Sequence, residues 1–422
     1  MGIGHWALGI GHWALVIILS HATLSPKENS HSPLPTIHSP LPTPHSPLPT
    51  IHYPLSTNHM SNIFRELLKK VGSGNHTGEN LTRAEAASAT KMMLLGEATP
   101  AQIGAFLIAH RIKRPTGEEL AGMLDAYEEL GPLLQNINSA RPVIVLGIPY
   151  DGRSRTAPIS PVTALLLACA GQSVVMHGGD RLPTKYGIPL VEIWQKLGVD
   201  WTALPLEKTQ QVFEKTGIGF VYTPRHFPLT NSIWEYRDQL GKRPPFATME
   251  LIWCPYAGDA HVIAGFVHPP TEGMFQQALT LRGVSKFTLV KGLEGSCDLP
   301  RDRTAIIGLS APLAPQQEGL TAIERLLLAP RDYNFTTKNV PLETTEQLVA
   351  DMQAVLSGKP CELMQTALWN GGFYLWRSGI CSDMQAGITK AEELFSNGAV
   401  AAKLQELTQV VNSVSKVVYQ AV

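Results

Sequence analysis

Residues 141–179, "RPVIVLGIPYDGRSRTAPISPVTALLLACAGQSVVMHGG", decide the fold class. The β-branched run that ends in Gly and Pro predicts a buried strand, "ISPVTALLLACAG" predicts an apolar helix, and "QSVVMHGG" predicts the next strand. The alternation continues through "PLVEIWQKLGV", "IGFVYTP", "HVIAGFVHP" and "KFTLVKGLEG". It indicates an α/β domain with a mostly parallel sheet. We therefore expect the ligand-binding loops to follow Val145, Val175 and Val290, at the carboxyl ends of the strands.

The segment before this domain, residues 61–131, has helical periodicity instead. Thr82 stands three residues before Glu85, and Thr116 three residues before Glu119, which are capping-box patterns. Thr99 followed by Pro100 is a further helix start. Short linkers between these helices predict a small antiparallel bundle. We expect a helical domain over 60–138 and an α/β domain over 139–422, with a short part near 225–245 packed on the helical domain.

The first 59 residues differ in composition from the rest. "GIGHWAL" occurs twice in tandem, "HSPLPT" recurs three times, and the segment holds 8 of the 14 histidines and 9 of the 32 prolines. Such a low-complexity tract predicts disorder, and its flexible spacing offers no fixed geometry for a metal. The apolar run "WALVIIL" resembles a signal-peptide core but lacks a basic region before it. We therefore interpret residues 1–59 as lying outside the fold.

The composition limits the classes of function. The chain has 34 Lys and Arg residues against 35 Asp and Glu residues, so no general polyanion-binding surface is indicated. The five cysteines are scattered and form no CxxC pair, which argues against a disulfide framework or a zinc site and predicts a cytoplasmic protein. The apolar run near the N-terminus is too short to span a bilayer, and no membrane association is expected.

Several longer stretches resemble a known family. "GENLTRAEAASATKMMLLGEATPAQIGAFLIAHRIK" resembles the N-terminal helical domain of anthranilate phosphoribosyltransferases, which belong to glycosyltransferase family 3. "GSGNHTGENLTR", "HGGDRLPTKYG", "YRDQLGKRPPFA" and "GAVAAKLQEL" follow in the family's order, over residues 61–410. The resemblance implies a helical bundle packed on an α/β domain of the nucleoside phosphorylase and phosphoribosyltransferase type, and a homodimer formed through the helices.

The resemblance also implies a reaction. The family transfers a phosphoribosyl group from phosphoribosyl pyrophosphate (PRPP) to anthranilate, a step of tryptophan biosynthesis, and releases pyrophosphate. A transition state with oxocarbenium character needs donors and cations around the leaving group, and carboxylates to hold magnesium, but no protein nucleophile. Magnesium is therefore the implied cofactor and a phosphate-bearing small molecule the implied ligand, provided that the anion-binding and metal-binding groups are present.

The first phosphate loop of the family, Gly-Thr-Gly-Gly-Asp, corresponds to "GIPYD" here, which keeps Gly147 and Asp151. Pro149 removes a backbone N–H and the bulky neighbours fill space that a pyrophosphate would need. Arg153 and Arg155 follow and would replace the lost donors with guanidinium groups, or would simply form a solvated turn.

The next family motifs fall between residues 158 and 187. Ser160 aligns with the magnesium-binding serine of the family, although helix capping would equally explain it. "MHGGD" has Met176 where the family has Lys. The candidate phosphate-binding residues in this part of the chain are His177, Gly178, Arg181, Lys185 and Gly187.

The remaining candidates lie further along the chain. Arg237 falls where the family places an arginine on the anthranilate carboxylate, but an arginine there suits a phosphate or an internal carboxylate as well. The magnesium-binding Asp-Glu pair of the family aligns with Cys297 and Asp298, so one carboxylate is lost. Glu294 lies close enough in the sequence to replace it.

Three hypotheses about function follow from these motifs. The first is a phosphoribosyltransferase that acts on anthranilate or another acceptor. The second is a non-catalytic homologue that binds nucleic acid or a phosphate ligand, because a nucleic-acid-binding group that resembles this family has proline, tyrosine, glycine and arginine in this loop, as Pro149, Tyr150, Gly152 and Arg153 are here. The near-zero net charge argues against nucleic acid, for which phosphate contacts dominate the affinity. The third is a dimeric scaffold without a ligand. For the first two we expect loops 147–160, 177–187 and 291–298 to form one pocket.

Overall fold

A seven-stranded sheet forms the centre of the computed structural model, which describes residues 55–74, 77–311 and 322–419. The strand order is β3-β2-β1-β4-β5-β6-β7. The strands β1 to β5 are parallel, whereas β6 and β7 extend the sheet as an antiparallel pair at its edge. The strands are β1 (Val143–Leu146), β2 (Val174–Gly178), β3 (Ile218–Tyr222), β4 (Ala260–Gly265), β5 (Phe287–Val290), β6 (Ala305–Ala311) and β7 (Ala322–Leu328).

Four helices precede the sheet: α1 (Leu55–Gly72), α2 (Arg83–Leu94), α3 (Pro100–Lys113) and α4 (Gly117–Leu130). The predicted caps are present, because Thr82, Thr99 and Thr116 each accept a hydrogen bond from the backbone N–H three residues later. The acceptor side chain at that position bonds back to the cap residue in each case, which completes the capping box. The helical bundle and the mostly parallel α/β domain expected from the sequence are therefore confirmed.

The remaining helices cover the sheet and connect its strands. They are α5 (Ser160–Cys169), α6 (Leu190–Lys196), α7 (Leu206–Thr216), α8 (Thr223–His226), α9 (Asn231–Leu240), α10 (Phe246–Met249), α11 (Pro269–Leu281), α12 (Thr345–Leu356), α13 (Glu362–Arg377), α14 (Met384–Ser396) and α15 (Ala399–Tyr419). The last four of them form the C-terminal part of the described chain.

Side chains of the central strands alternate between two cores. Ile144 and Leu146 of β1 pack with α5 and the C-terminal helices, whereas Val143 and Val145 pack toward the N-terminal helices. All four are fully buried, as expected for a parallel strand covered on both faces. On β2, Met176 belongs to the first core and is fully buried.

The helices between β3 and β4 pack against the N-terminal bundle through aromatic side chains. The ring of Tyr127 on α4 lies edge-on to Phe227 and Trp253, with centroid distances of 5.0 and 5.4 Å. Phe246 on α10 packs on the same ring at 6.1 Å. These contacts fix the position of α4 against the loops that follow the strands.

The predicted tail lies mostly outside the described residues, although residues 55–59 belong to α1. The signal-peptide-like run and the histidine-rich repeats also lie outside them. Within the part of the chain that the structure describes, no helix is both long enough and apolar enough to cross a bilayer.

Candidate functional site

The loops that follow β1, β2 and β5 meet at the carboxyl edge of the sheet. Arg153, after β1, donates from Nη1 to Oδ2 of Asp298 at 2.8 Å. Lys185, after β2, donates from Nζ to the carbonyl of Gly152 at 3.0 Å and to Oε2 of Glu294 at 2.8 Å. Because the contacts to Asp298 and Glu294 join residues 145 and 109 positions apart, the sheet topology brings the three loops together.

The structure places Arg153 differently from the sequence-based expectation of an outward phosphate contact. Its side chain is 2% exposed and all three nitrogens bond to protein oxygens. Nε donates to Glu294 at 3.2 Å, and Nη1 donates to Ser296 as well as to Asp298. Nη2 donates to the hydroxyl of Thr156. The guanidinium is therefore an internal cation and does not face an open pocket.

Glu294 is the anion on which most of these contacts converge. It accepts hydrogen bonds from the backbone N–H groups of residues 154–156, from the side chains of Arg153 and Lys185, and from the Thr156 hydroxyl. Burial alone would raise the pKa of Glu294. The hydrogen bond from Lys185 and the charge of Arg153 outweigh burial, and they hold the pKa well below its usual range. Glu294 is consequently ionised, and both of its carboxylate oxygens accept hydrogen bonds from other groups of the protein.

Asp298 has a similar set of internal partners. Its Oδ1 accepts from the Ser160 hydroxyl at 2.7 Å, and its Oδ2 accepts from the backbone N–H of Ile159 and from Arg153. The capping explanation for Ser160 is wrong, because Ile159 is the N-cap of α5 and Ser160 is its first residue. Cys297, at the other family carboxylate position, is buried, and burial raises the pKa of its thiol.

The residues of this arrangement do not fit a magnesium ion. Magnesium needs carboxylate oxygens with free lone pairs and an octahedral shell. Here Glu294 and Asp298 direct those lone pairs to Arg153, Lys185, hydroxyls and backbone N–H groups. Among the described residues, no group of three or more His, Cys, Asp or Glu side chains is positioned to hold a metal.

Tyr150 occupies the interior of the first loop. Its hydroxyl lies 2.6 Å from Nδ1 of His177, and His177 Nε2 lies 3.1 Å from the carbonyl of Trp253. Because that carbonyl can only accept, Nε2 carries the proton, and Nδ1 of the neutral ring accepts from Tyr150. Burial lowers the pKa of His177 to about 3. The ring of His177 is therefore neutral and buried, and it lacks the positively charged N–H donor with which an exposed, protonated histidine would bind a phosphate.

Two of the predicted loop glycines serve close backbone packing. A Cβ atom on Gly147 would collide with the carbonyl oxygen of Leu251. A Cβ atom on Gly187 would lie 2.6 Å from the carbonyl oxygen of Arg153. Gly178 is the last residue of β2, and only Phe220 would approach a Cβ there, at 3.8 Å. Gly147 and Gly187 are thus needed because other backbone segments pack directly against them.

Arg237 bonds to an internal carboxylate, one of the alternatives open from the sequence. It is fully buried on α9 and donates from Nη2 to Oε1 of Glu250, which also accepts from the hydroxyl of Tyr127. Burial raises the pKa of Glu250 despite the neighbouring Arg237 charge. Nε and Nη1 of Arg237 and Oε2 of Glu250 have no hydrogen-bond partner among the described residues.

Three arginines lie around the outside of this closed interior: Arg155 and Arg181, which were candidates from the sequence, and Arg243, which was not. Arg155 points outward, with its side chain 77% exposed and its Nε 3.7 Å from Glu294. Arg181 pairs with Glu192 and donates to the carbonyl of Tyr186. Arg243 Nε lies 3.3 Å from Oδ2 of the buried Asp151. We call these three arginines, together with the exposed ring of Tyr186, the rim.

Sequence reasoning missed two important groups. Glu250 is a single charged residue in the apolar run "FATMELIW", and that position could have marked it as a buried, paired carboxylate. The sequence around Ser296, in contrast, did not indicate that its hydroxyl would accept a hydrogen bond from Arg153. A cavity of about 650 Å³ lies against α14 and the loop before it, and one of about 250 Å³ lies between α13 and α14; neither is lined by a residue of the three loops.

Comparison with known proteins agrees with this architecture over most of the chain. The anthranilate phosphoribosyltransferase of Rhodopseudomonas palustris strain BisB18 is 28% identical over 355 residues, which are 83% of this chain and 99% of that protein. The enzyme of the same name from Polaromonas sp. is 26% identical over 328 residues, 77% of this chain and 91% of that protein.

Solved structures show the same fold. Anthranilate phosphoribosyltransferase from Thermus thermophilus superimposes with a TM-score of 0.66 at 20% identity, covering 82% of this chain and 99% of that one. The Saccharomyces cerevisiae enzyme in complex with PRPP and Mg superimposes with a TM-score of 0.71 at 17% identity, covering 84% and 99%.

Family models match both parts of the chain. The helical bundle domain of the glycosyl transferase family matches residues 65–131, and the α/β domain of that family matches residues 151–401. The two matches cover 318 of the 422 residues. The chain therefore belongs to the glycosyl transferase family that combines this helical bundle with this α/β domain.

Proposed function

We propose that this chain binds a phosphate-bearing ligand at the rim and does not perform magnesium-dependent phosphoribosyl transfer. One observation carries this proposal: Glu294 and Asp298, which would have to hold magnesium, are neutralised inside the protein by Arg153 and Lys185. Without a metal, the charge that develops on a leaving pyrophosphate lacks the stabilisation that the family chemistry requires.

The rim has the chemistry of a phosphate-binding surface. Arg155, Arg181 and Arg243 have side chains that are 77%, 45% and 50% exposed, so their guanidinium groups retain free donors. Bidentate guanidinium donors suit phosphate oxygens. Within the rim, Arg181 donates to the carbonyl of Tyr186, and the Tyr186 hydroxyl donates to Asp238 on α9. The ring of Tyr186 is 49% exposed and would stack on a base of a nucleotide or a single-stranded nucleic acid.

A second candidate is phosphoribosyl transfer itself, and the relatives favour it. Enzymes named anthranilate phosphoribosyltransferase match this chain along almost their whole length. Transfer would require the loops to rearrange, so that Glu294 and Asp298 release Arg153 and accept magnesium. In that case the acceptor would be anthranilate or a related carboxylate held by Arg237, and the pathway would be tryptophan biosynthesis.

Calorimetry with PRPP and with a single-stranded oligonucleotide, each with magnesium or with EDTA, separates the two candidates. We expect a binding affinity that does not depend on magnesium. In the double variant Arg155→Ala/Arg181→Ala, the affinity should be at least about tenfold lower and should depend less on the salt concentration. Lys215→Ala, at the end of α7 on the opposite edge of the sheet, removes one charge as the control. Magnesium-dependent PRPP binding, with pyrophosphate release when anthranilate is added, would instead establish the transferase.

We also propose that the chain forms a cytoplasmic homodimer through its N-terminal helices. Ile112 on α3 has a side chain that is 63% exposed, and Ile63 on the neighbouring α1 is 41% exposed. Large apolar side chains exposed on two packed helices support self-association through that part of the bundle. The scattered free cysteines support a reducing compartment.

A further inference from the structure

Four side-chain oxygens surround the guanidinium of Arg153. They belong to Thr156, Glu294, Ser296 and Asp298, from the loops that follow β1 and β5. Carboxylate and hydroxyl oxygens gathered from separate loops are the ligand set that hard divalent cations use. Here every one of these oxygens accepts from a nitrogen of one arginine.

The charges in this interior are balanced without a metal. Glu294 and Asp298 have side chains that are 3% and 2% exposed, and an isolated carboxylate at that depth would be strongly unfavourable. Arg153 and Lys185 supply two positive charges at distances of 2.8 to 3.2 Å from them. Arg155 contributes little, because its exposed group lies 3.7 Å away in solvent.

We propose that Arg153 is a built-in cation that takes the structural place of a divalent metal ion, with Lys185 completing the charge. It joins the loop after β1, to which it belongs, to the loop after β5, which supplies Glu294, Ser296 and Asp298. Removing the guanidinium while keeping the oxygens therefore creates a site for magnesium or manganese. This inference concerns the interior of the loops and does not depend on ligand binding at the rim, so its test uses no phosphate ligand.

The substitution of a guanidinium for a metal has a chemical consequence. A bound metal ion keeps open positions that can bridge protein carboxylates to a diphosphate. Arg153 uses all three of its nitrogens on protein oxygens. The loops are thus permanently joined, and the joining group has no exchangeable position for a ligand.

The test compares the full chain with Arg153→Met and Arg155→Met, measuring melting temperature and manganese binding by electron paramagnetic resonance. The unaltered chain should bind no manganese saturably, and EDTA should leave its melting temperature unchanged. Arg153→Met should melt about 5 °C or more below it, because two buried carboxylates lose their partner. Manganese or magnesium should restore part of this loss, and manganese should bind saturably to Arg153→Met.

Arg155→Met is the matched control, because it removes an exposed arginine that also lies beside Glu294. This variant should change neither the melting temperature nor the manganese binding. If Arg153→Met does not fold, the manganese measurement on the unaltered chain still decides. Saturable binding there, abolished in Glu294→Gln, would overturn the proposal. So would an Arg153→Met protein that melts like the unaltered chain, or one that is destabilised but gains no affinity for either metal.

Discussion

The hydroxyl of Tyr150 donates a hydrogen bond to Nδ1 of His177 over 2.6 Å, and neither side chain contacts solvent appreciably. The pair joins the loop after β1 to the end of β2. Both side chains fill the interior between these two segments. The closure of this site therefore depends on a single neutral hydrogen bond as well as on the ion pairs around Glu294.

Removing only the hydroxyl tests how much this bond stabilises the protein. Tyr150→Phe should lower the free energy of unfolding by about 1–3 kcal/mol, because Nδ1 of His177 is left buried without a donor. Urea denaturation measures the change. Tyr186→Phe removes an exposed hydroxyl and should stay within about 0.5 kcal/mol of the unaltered chain. Equal stability of all three proteins would show that the hydrogen bond contributes nothing net.

Buried histidines should make the protein sensitive to mild acid. Burial lowers the pKa of His177 and of His261 to about 3, whereas the unfolded chain takes up these protons near the ordinary pKa of 6.5. The unfolded state therefore binds more protons as the pH falls from about 6.5 toward about 3. Each histidine should then remove about 1.4 kcal/mol of stability per pH unit.

The measurement is urea unfolding at about pH 6 and about pH 5, above the range where most carboxylates titrate. In His177→Gln, the slope of the free energy of unfolding against pH should be smaller by about 1.4 kcal/mol per pH unit. His268→Gln, on the surface, is the control. A slope that is identical in His177→Gln and in the unaltered chain would mean that His177 does not stay neutral in the native state.

Replacing Arg237 alone should destabilise the protein more than replacing both members of its buried pair with Glu250. Arg237→Leu leaves the Glu250 carboxylate buried without a counter-charge and should cost about 3–5 kcal/mol. The double variant Arg237→Leu/Glu250→Leu should be more stable than the single one, because the uncompensated charge is gone. Denaturation curves of these two variants and of Glu250→Leu provide the comparison, and a loss in the double variant equal to the sum of the two single losses would argue against an energetically coupled pair.

Self-association can be tested at the exposed side chain of Ile112. Ile112→Glu places a charge on the apolar surface of α3 and should convert a dimer to a monomer at micromolar concentration. Light scattering at several concentrations measures the mass. Leu327→Glu, at a similarly exposed apolar position on β7, should leave the mass unchanged. A monomeric unaltered chain would remove the basis of the homodimer proposal.

The sequence was sufficient to predict the helical bundle and the five parallel strands. Helix starts such as Thr82 and Thr116 are local signals, because capping depends on residues three positions apart. Strands such as β1 and β2 stand out because both faces are buried and their residues are continuously apolar. The antiparallel pair β6 and β7 was not predicted, and β7 has a mixed pattern with exposed positions.

The partners in the site could not be predicted in the same way. The types and positions of Arg153, Lys185 and Glu294 were visible, and topology correctly brought their loops together. Whether an arginine faces a ligand or a carboxylate depends on three-dimensional distances between residues 141 and 145 positions apart in the sequence. A pattern of charges along one chain contains no information on which of them neutralise each other.

The ion pairs around Arg153 also limit how this site can change in evolution. A lineage that loses Arg153 first leaves two buried carboxylates with one remaining counter-charge, and a lineage that loses Glu294 or Asp298 first leaves a buried guanidinium with too few anions. Either intermediate costs about 3–5 kcal/mol, a large share of the stability of an ordinary domain. Conversion between a metal-using and a metal-free member of this family therefore requires compensating substitutions that arise nearly together, or a cell whose free magnesium stabilises the intermediate.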